Sequence, residues 1–512
     1  MTRPDIGAGP GTDPGIDTAP GRVSARPARR VPLALVVAPV AAVAVLLTAV
    51  LTVRDPAGGP LLAAGAVAGL VAALGAALLL YRRPWLAPWG VILLFSTTAE
   101  LRVRLGGPVG AAKDLLVALL VVVLAAQLLG DGRALARLRT HAFPLGALGL
   151  LVALYLLDPA GQWGLSWVFG SRMLLEGLLL LMIGLLCAQP ERTTAHLVRA
   201  LTVVLPVQAA LAWAQQAAGA DALMHSWGYQ WGAQVRVTSD GGLRTTGAFE
   251  DPFQLAALAV LGTAVALFLA SRTQAVILLV SAAAVLAATS VRTAALQVAI
   301  AALVWMVRRG WARQAAVLAV PAVAAVLYLL ATTTTALYPG APETPLLFGL
   351  NGRSTAWSQA VTGPWSAVAG NGVGEVGTGS DRAATLISAP PEYDPEVEPE
   401  AEIAGSSAFL DSAYAQVQSD VGLPGTVALL VWIAATGRFL LCTARTGGRW
   451  GAPAAWAGTT VLAASAVDWV GRSSLSSYTT GFLTLYVLGV LLAAATAEHD
   501  RHTELDAGET VR

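Results

Sequence analysis

The stretch VILLVSAAAVLAATSVRTAALQVAIAALVWMV, Val276 to Val307, is apolar or small at nearly every position except Arg292, near its midpoint. A charge inside hydrocarbon costs a few kcal/mol or more, so an intramembrane arginine marks function unless the chain turns there. The composition puts this stretch in a membrane: 56% of the 512 residues are hydrophobic, 12% are charged, and the apolar residues fall in blocks of spanning length. That excludes a string of soluble domains, and the net charge of +1 says nothing about partners.

The pattern predicts an all-α polytopic membrane protein. Spans are expected near 33–53, 61–81, 85–99, 114–130, 143–157, 173–189, 198–218, 252–270, 274–290, 292–307, 314–332, 410–436, 452–470 and 475–495, about 14 helices in all. Orientation follows from the inward bias of basic residues. Arg3, Arg22, Arg26, Arg29 and Arg30 place the N-terminal tail in the cytoplasm, and alternation gives every inner loop at least one arginine. Both termini come out cytoplasmic.

Parity then reads the opening stretch. Arg272 and Arg308–Arg309 both belong inside, so an even number of crossings separates them. The run is two short helices with Arg292 at the outer turn. Arms of about 15 residues, or roughly 22 Å, fall short of a hydrocarbon core of roughly 30 Å. Arg292 is therefore expected below the outer headgroups, in a pocket.

The resulting organisation is a disordered tail (1–30), N-terminal membrane helices (31–218), an extracytoplasmic segment (219–251), further helices (252–332), a large extracytoplasmic loop (333–409), the last three helices (410–497) and a polar tail (498–512). The first apolar block reads as a retained helix, with no small-x-small cleavage site after it. Cys187 and Cys442 both fall on the reducing side, so no disulfide is expected. The large loop, roughly 75 residues, exceeds the length at which loops usually carry function.

Arginines on the outer side run against the topological bias. Arg102, Arg104, Arg172, Arg244, Arg292, Arg353 and Arg472 all fall at or beside outer helix ends. Surface solvation explains some of them. As a set they suit a lipid-linked phosphate or pyrophosphate, because guanidinium presents a fixed fork of donors to phosphate oxygens. Four motifs frame them. RTTGAFEDP (Arg244–Pro252) runs into a helix whose first turn suits Glu250, Asp251 and Pro252. TSVRTA (Thr289–Ala294) is the turn at Arg292. NGRSTAW (Asn351–Trp357) precedes VAGNGVGEVG (Val368–Gly377), whose alternate glycines form either a plain turn or a backbone cradle for an anion. FLDSAYAQVQSDVGLPG (Phe409–Gly425) re-enters the membrane and sets Asp411, Tyr414 and Gln418 near one face.

In this order the motifs resemble the O-antigen ligase and O-unit polymerase family of bacterial membrane proteins. The matching residues are Arg244, Gly247, Phe249 and Pro252; Arg292; Arg353 and Trp357; Gly370, Gly372 and Gly374; and Asp411 through Gly422 and Gly425. The likeness covers Arg244 to Gly437, about two-fifths of the chain. It implies a multi-pass plasma-membrane glycosyltransferase that needs no metal or cofactor. Such an enzyme takes glycan from an undecaprenyl-pyrophosphate carrier and passes it to a sugar hydroxyl on a growing polymer or a cell-envelope acceptor. By that analogy Arg244 and Arg292 hold the pyrophosphate and stabilise its departure. Arg353, Trp357, Gly372, Gly374, Arg172, Arg472 and Tyr414 line the substrate. Asp411 stands where ligases of the family have a histidine, so it reads either as the acceptor-activating base or as the N-cap of the returning helix. This departure favours polymerase over ligase.

Readings of another class remain: a lipid or polysaccharide transporter or flippase, and a non-catalytic envelope scaffold. Carriers often show internal repeats and midplane ionisable groups, whereas here no repeat is evident and polar residues gather at the outer lip. The sequence has no phosphate-loop motif, no Cys/His metal spacing, no serine nucleophile elbow and no nucleic-acid footprint.

Overall fold

The computed structural model describes residues 75–509, apart from 77, 106–108, 131, 232–233, 238–241, 312, 315–316, 318–333, 336–343, 346–359, 362, 376–411, 449–450 and 477–478. The expected spans 33–53, most of 61–81 and most of 314–332 lie outside the described residues.

The described chain is a helical bundle. In order it forms α1 (Ala87–Leu105), α2 (Val109–Gly130), α3 (Gly132–Thr140), α4 (Ala142–Leu157), α5 (Leu165–Leu185), α6 (Pro190–His225), β1 (Arg236–Val237), β2 (Leu243–Arg244), α7 (Pro252–Phe268), α8 (Arg272–Thr289), α9 (Arg292–Arg308), β3 (Thr334–Thr335), β4 (Thr344–Pro345), α10 (Pro364–Ala369), α11 (Ala413–Thr446), α12 (Gly451–Gly471) and α13 (Thr480–Glu509). The strands make two short antiparallel pairs, β1 with β2 and β3 with β4. Among the described residues, α5, α6, α8, α11 and Thr480–Ala497 of α13 are long and apolar enough to cross a membrane. The pair α3–α4, bent by 85°, adds a sixth candidate. Apolar helices of this kind belong in a lipid bilayer.

α13 runs through the middle of the bundle, with 89% of its span buried. It lies against α5, and small residues make that contact possible. A Cβ on Gly184 would come within 2.5 Å of the Tyr486 carbonyl, and one on Gly489 would collide with the Leu181 carbonyl. Without a strong hydrophobic force between helices in lipid, such close backbone approach is what dispersion needs. Phe95 and Phe482 meet edge to face at 5.6 Å, tying α1 to α13.

The opening stretch divides where parity requires. α8 starts at a capping box, with the Ser271 amide donating to Gln274 Oε1 at 3.2 Å. It ends at Ser290, in the left-handed conformation with φ 51°. α9 begins two residues later, at Arg292. Two elements outrun the sequence reading. In α6 the helix breaks at Gly219, φ 81°, where the span was expected to end, and a further helical stretch then runs to His225. α11 continues to Thr446 through a break at Gly422. Hydropathy ends a span at its first polar residues, but helical turns resume beyond a glycine that takes a positive φ.

Candidate functional site

The turn RTTGAFEDP lies at one end of the bundle, the rim, held by three glutamines of α6. Gln215 Oε1 accepts from the amides of Thr246 (3.1 Å) and Gly247 (2.9 Å), while its Nε2 donates to the Gly247 carbonyl at 2.7 Å. Seven residues earlier on the same face, Gln208 accepts from the Ala248 amide at 2.9 Å and donates to the Ser96 carbonyl. Gln216 donates to the carbonyls of Leu243 (2.7 Å) and Ala288 (3.0 Å). Gln208 and Gln215 are buried at 2% and 0% exposure. A buried amide without partners would cost far more than these bonds return, so the three residues specify one geometry for the turn. The turn then delivers α7: Asp251 caps it by accepting from the Gln254 amide at 2.9 Å, with Pro252 at the first helical position. Asp251 is a helix cap first of all.

Three arginines are linked, through the residues beside them, to the start of α7. Arg244, half-buried, precedes Thr245, whose amide and hydroxyl both bond the Ala288 carbonyl in the last turn of α8 (3.3 and 3.1 Å). Four residues beyond Ala288, Arg292 opens α9. Val291 and Ala294, which flank it, pack with Phe253, Ala256, Val260 and Ala464 in one apolar cluster. Phe253 in turn carries Arg472, whose guanidinium carbon lies 4.3 Å from the ring centroid. Packing therefore links Arg244, Arg292 and Arg472, far apart in sequence, around the start of α7.

Their electrostatic states differ. Arg472 is mostly buried and sits 3.5 Å from Asp468 Oδ1. Arg292 is exposed and has no partner among the described residues. It is the first residue of α9, at the tip of the α8–α9 hairpin, and most of the large loop expected to border it lies outside the described residues. A cation at a helix N-terminus also opposes the macrodipole, so that end concentrates positive potential and favours an anion. Beside it, Thr293 Oγ1 is buried without a hydrogen-bond partner.

The other expected site residues fall elsewhere. Arg172 is bound in two ion pairs, to Asp114 at 2.6 Å and Glu176 at 2.5 Å, on the α2 side of the bundle. Tyr414 donates its hydroxyl to the Ala466 carbonyl at 3.0 Å, tying α11 to α12. Asp411, Arg353 and Trp357 lie outside the described residues.

The glycine segment is a buried clasp. Gly374 donates its amide to Asp420 Oδ1 at 3.1 Å, and Val373 donates to Asp158 Oδ1 at 3.3 Å. Asp420 also accepts from the Tyr155 hydroxyl (2.7 Å) and Gln416 Nε2 (2.9 Å). The amides that could have met a ligand phosphate are thus committed to the protein's own carboxylates. Only glycine serves here: Gly374 has φ 74° and a Cβ would strike the Ser166 carbonyl, while Gly422, φ 71°, faces the Val368 carbonyl. Gly372, φ 118°, lies against the Gln162 side chain.

Sequence reading missed Gln208, Gln215, Gln216, Asp158, Asp420 and Asp468. The glutamines had a readable signal, being three amides inside a run otherwise apolar enough to span. No protein-family model matches the chain, and no curated protein matches it.

Proposed function

We propose that the chain is a polytopic plasma-membrane glycan polymerase or ligase of bacterial type, with about 14 spans and both termini cytoplasmic. Its rim faces the extracytoplasmic side. There it transfers glycan from an undecaprenyl-pyrophosphate carrier to a sugar hydroxyl on a growing chain or envelope acceptor. One observation supports the reading: Arg292, exposed and without a described partner, stands at the head of α9, where packing links it through Phe253 to Arg472 and through the last turn of α8 to the segment of Arg244. Such a group can take a phosphate with no competing carboxylate among the described residues to displace, and it meets charge developing on a leaving pyrophosphate. Arg244 and Arg292 are the donor-holding residues; Arg353 and Trp357 belong to the acceptor or donor path by resemblance.

Complementation tests this. Wild type, Arg292→Ala and Arg292→Lys are expressed at matched levels in a strain lacking the chain, and surface polysaccharide is resolved on gels. Loss of high-mass glycan in the alanine variant, accumulation of lipid-linked units and partial rescue by lysine are the expected result. A ladder collapsed to single units means polymerase, and full-length chains left on the carrier mean ligase. Wild-type glycan from Arg292→Ala would end the proposal.

A carrier is the second reading, because discontinuous helices line many transport sites and α6 and α11 both break at glycine. The break at Gly422 is filled by the Val368 carbonyl, which leaves little room there for a cargo.

A further inference from the structure

At the end of α9 opposite Arg292, roughly 24 Å away along the helix axis, the chain closes in a Schellman turn. The amide of Gly310, φ 80°, donates to the Val307 carbonyl at 3.1 Å, and that of Trp311 donates to the Met306 carbonyl at 2.9 Å. The turn folds Trp311 back onto Trp305, with ring centroids 6.0 Å apart and the planes at 83°. The two arginines before the turn are each laid on a ring. The guanidinium carbon of Arg309 lies 5.2 Å from the Trp305 centroid, and that of Arg308 lies 5.4 Å from the centroid of Phe268, the last residue of α7. Arg272, four residues beyond Phe268, opens α8 at this same end.

The corner gathers positive charge. No ion pair among the described residues includes Arg272, Arg308 or Arg309. The sequence extends the point to the neighbouring chain: from Pro252 to Pro342 it has arginine at 272, 292, 308, 309 and 313 and no aspartate or glutamate. Stacking fixes how the charge is presented. A ring covers one face of a guanidinium and leaves its edge, where the five N–H donors lie, open to a ligand. The inward bias of basic residues does not account for this arrangement, since it counts charge and lysine would serve as well. The fitting occupant is an anion with several acceptor oxygens, held where apolar helix gives way to water. Val307, just before the pair, is 42% exposed, and Trp311 is 50% exposed, so an acyl chain and an interfacial indole are both accommodated beside the arginines. We propose that Arg308 and Arg309, on their aromatic platform of Phe268, Trp305 and Trp311, bind the phosphate of an anionic diacyl phospholipid in the leaflet at this end of the bundle. In the orientation proposed above that leaflet is the cytoplasmic one. The site is otherwise independent of the glycan-transfer reading, whose arginine stands at the other end of α9.

The full chain, purified in detergent with equal amounts of phosphatidylglycerol and phosphatidylcholine, tests this by native mass spectrometry of the lipid it retains. The wild type is expected to retain phosphatidylglycerol in preference. Replacing both arginines (Arg308→Gln with Arg309→Gln) should cut that preference about thirtyfold, as the loss of two basic groups at an anionic surface does. The pair Arg308→Lys with Arg309→Lys keeps the charge that orients the helices, which guards against misinsertion, and should still lose about threefold because the stacked fork is gone. Arg292→Ala should retain lipid as the wild type does. Equal retention of the two lipids by the wild type overturns the proposal. So does a lysine pair that matches the wild type, since charge alone would then suffice. Preference lost in Arg292→Ala and kept in the glutamine pair places the lipid at the other end of α9 and overturns it too. Preference that emerges only when the tail carboxylates Glu498, Asp500, Glu504, Asp506 and Glu509 are neutralised gives the corner to the chain's own C-terminus and ends the lipid assignment. Each of these results leaves the glycan-transfer reading to its own test.

Discussion

The rim around α7 and the clasp beneath α11 are both polar regions at bundle ends, built from motifs of similar look, and they treat polar groups oppositely. In the clasp, Asp420 is matched by three donors: Tyr155, Gln416 and the Gly374 amide. At the rim, Arg292 has no described partner, and among the described residues Asp468 Oδ1, 3.5 Å from Arg472, and Thr480 Oγ1 lack hydrogen bonds. A matched buried polar group fixes structure; an unmatched one keeps capacity for a ligand. A glycine-rich motif and an arginine motif, alike as sequence candidates for anion binding, thereby separate into a fastener and, on the function proposed above, a site.

The sharpest way to break the comparison is to exchange its predicted readouts. Arg292→Ala should cost glycan transfer on the order of a hundredfold, as loss of one transition-state donor does, with no change in melting temperature. Asp420→Ala should do the reverse. It strands the Tyr155 hydroxyl, Gln416 and the Gly374 amide, and should lower stability by about 3 kcal/mol, read as melting of the purified chain or as loss of membrane protein level. If Asp420→Ala melts as wild type and merely loses transfer, the clasp is part of the site.

Gly374→Ala comes next. The positive φ and the nearby Ser166 carbonyl predict a cost of roughly 1–3 kcal/mol, again without specific loss of donor binding. Gln215→Leu sharpens the boundary, since this residue is structural in form but holds the donor turn. It should weaken retention of undecaprenyl pyrophosphate about tenfold at modest cost in stability, because the Thr246 and Gly247 amides lose their acceptor. The smallest effect is expected from Phe253→Leu, which removes the ring under Arg472 while keeping apolar volume. A loss of about 1 kcal/mol in donor or acceptor binding matches a partly buried cation–π contact.

Much of the helical framework was legible. The division of Val276–Val307 at Arg292 followed from charge parity, and the cap at Asp251 followed from its place before Pro252. The arginines at 244, 292 and 472 were picked out because they oppose the charge bias. The same rule picked Arg172, which is neutralised by Asp114 and Glu176; charge bias counts residues and is blind to partners brought alongside. The glycine segment read as either a turn or a cradle, and its amides proved to be spent on Asp158 and Asp420.

The sequence by itself determined where apolar segments lie, where they turn and which charges stand out, because those properties act along one helix. Tertiary structure decided which polar groups are spent and which are left. Tyr155 meets Asp420 across 265 residues, and Gln297 of α9 meets the Ala464 carbonyl across 167. No local pattern encodes such pairings, since they exist only once helices pack and exclude water. Until then every carboxylate, amide and guanidinium has the same partner, the solvent.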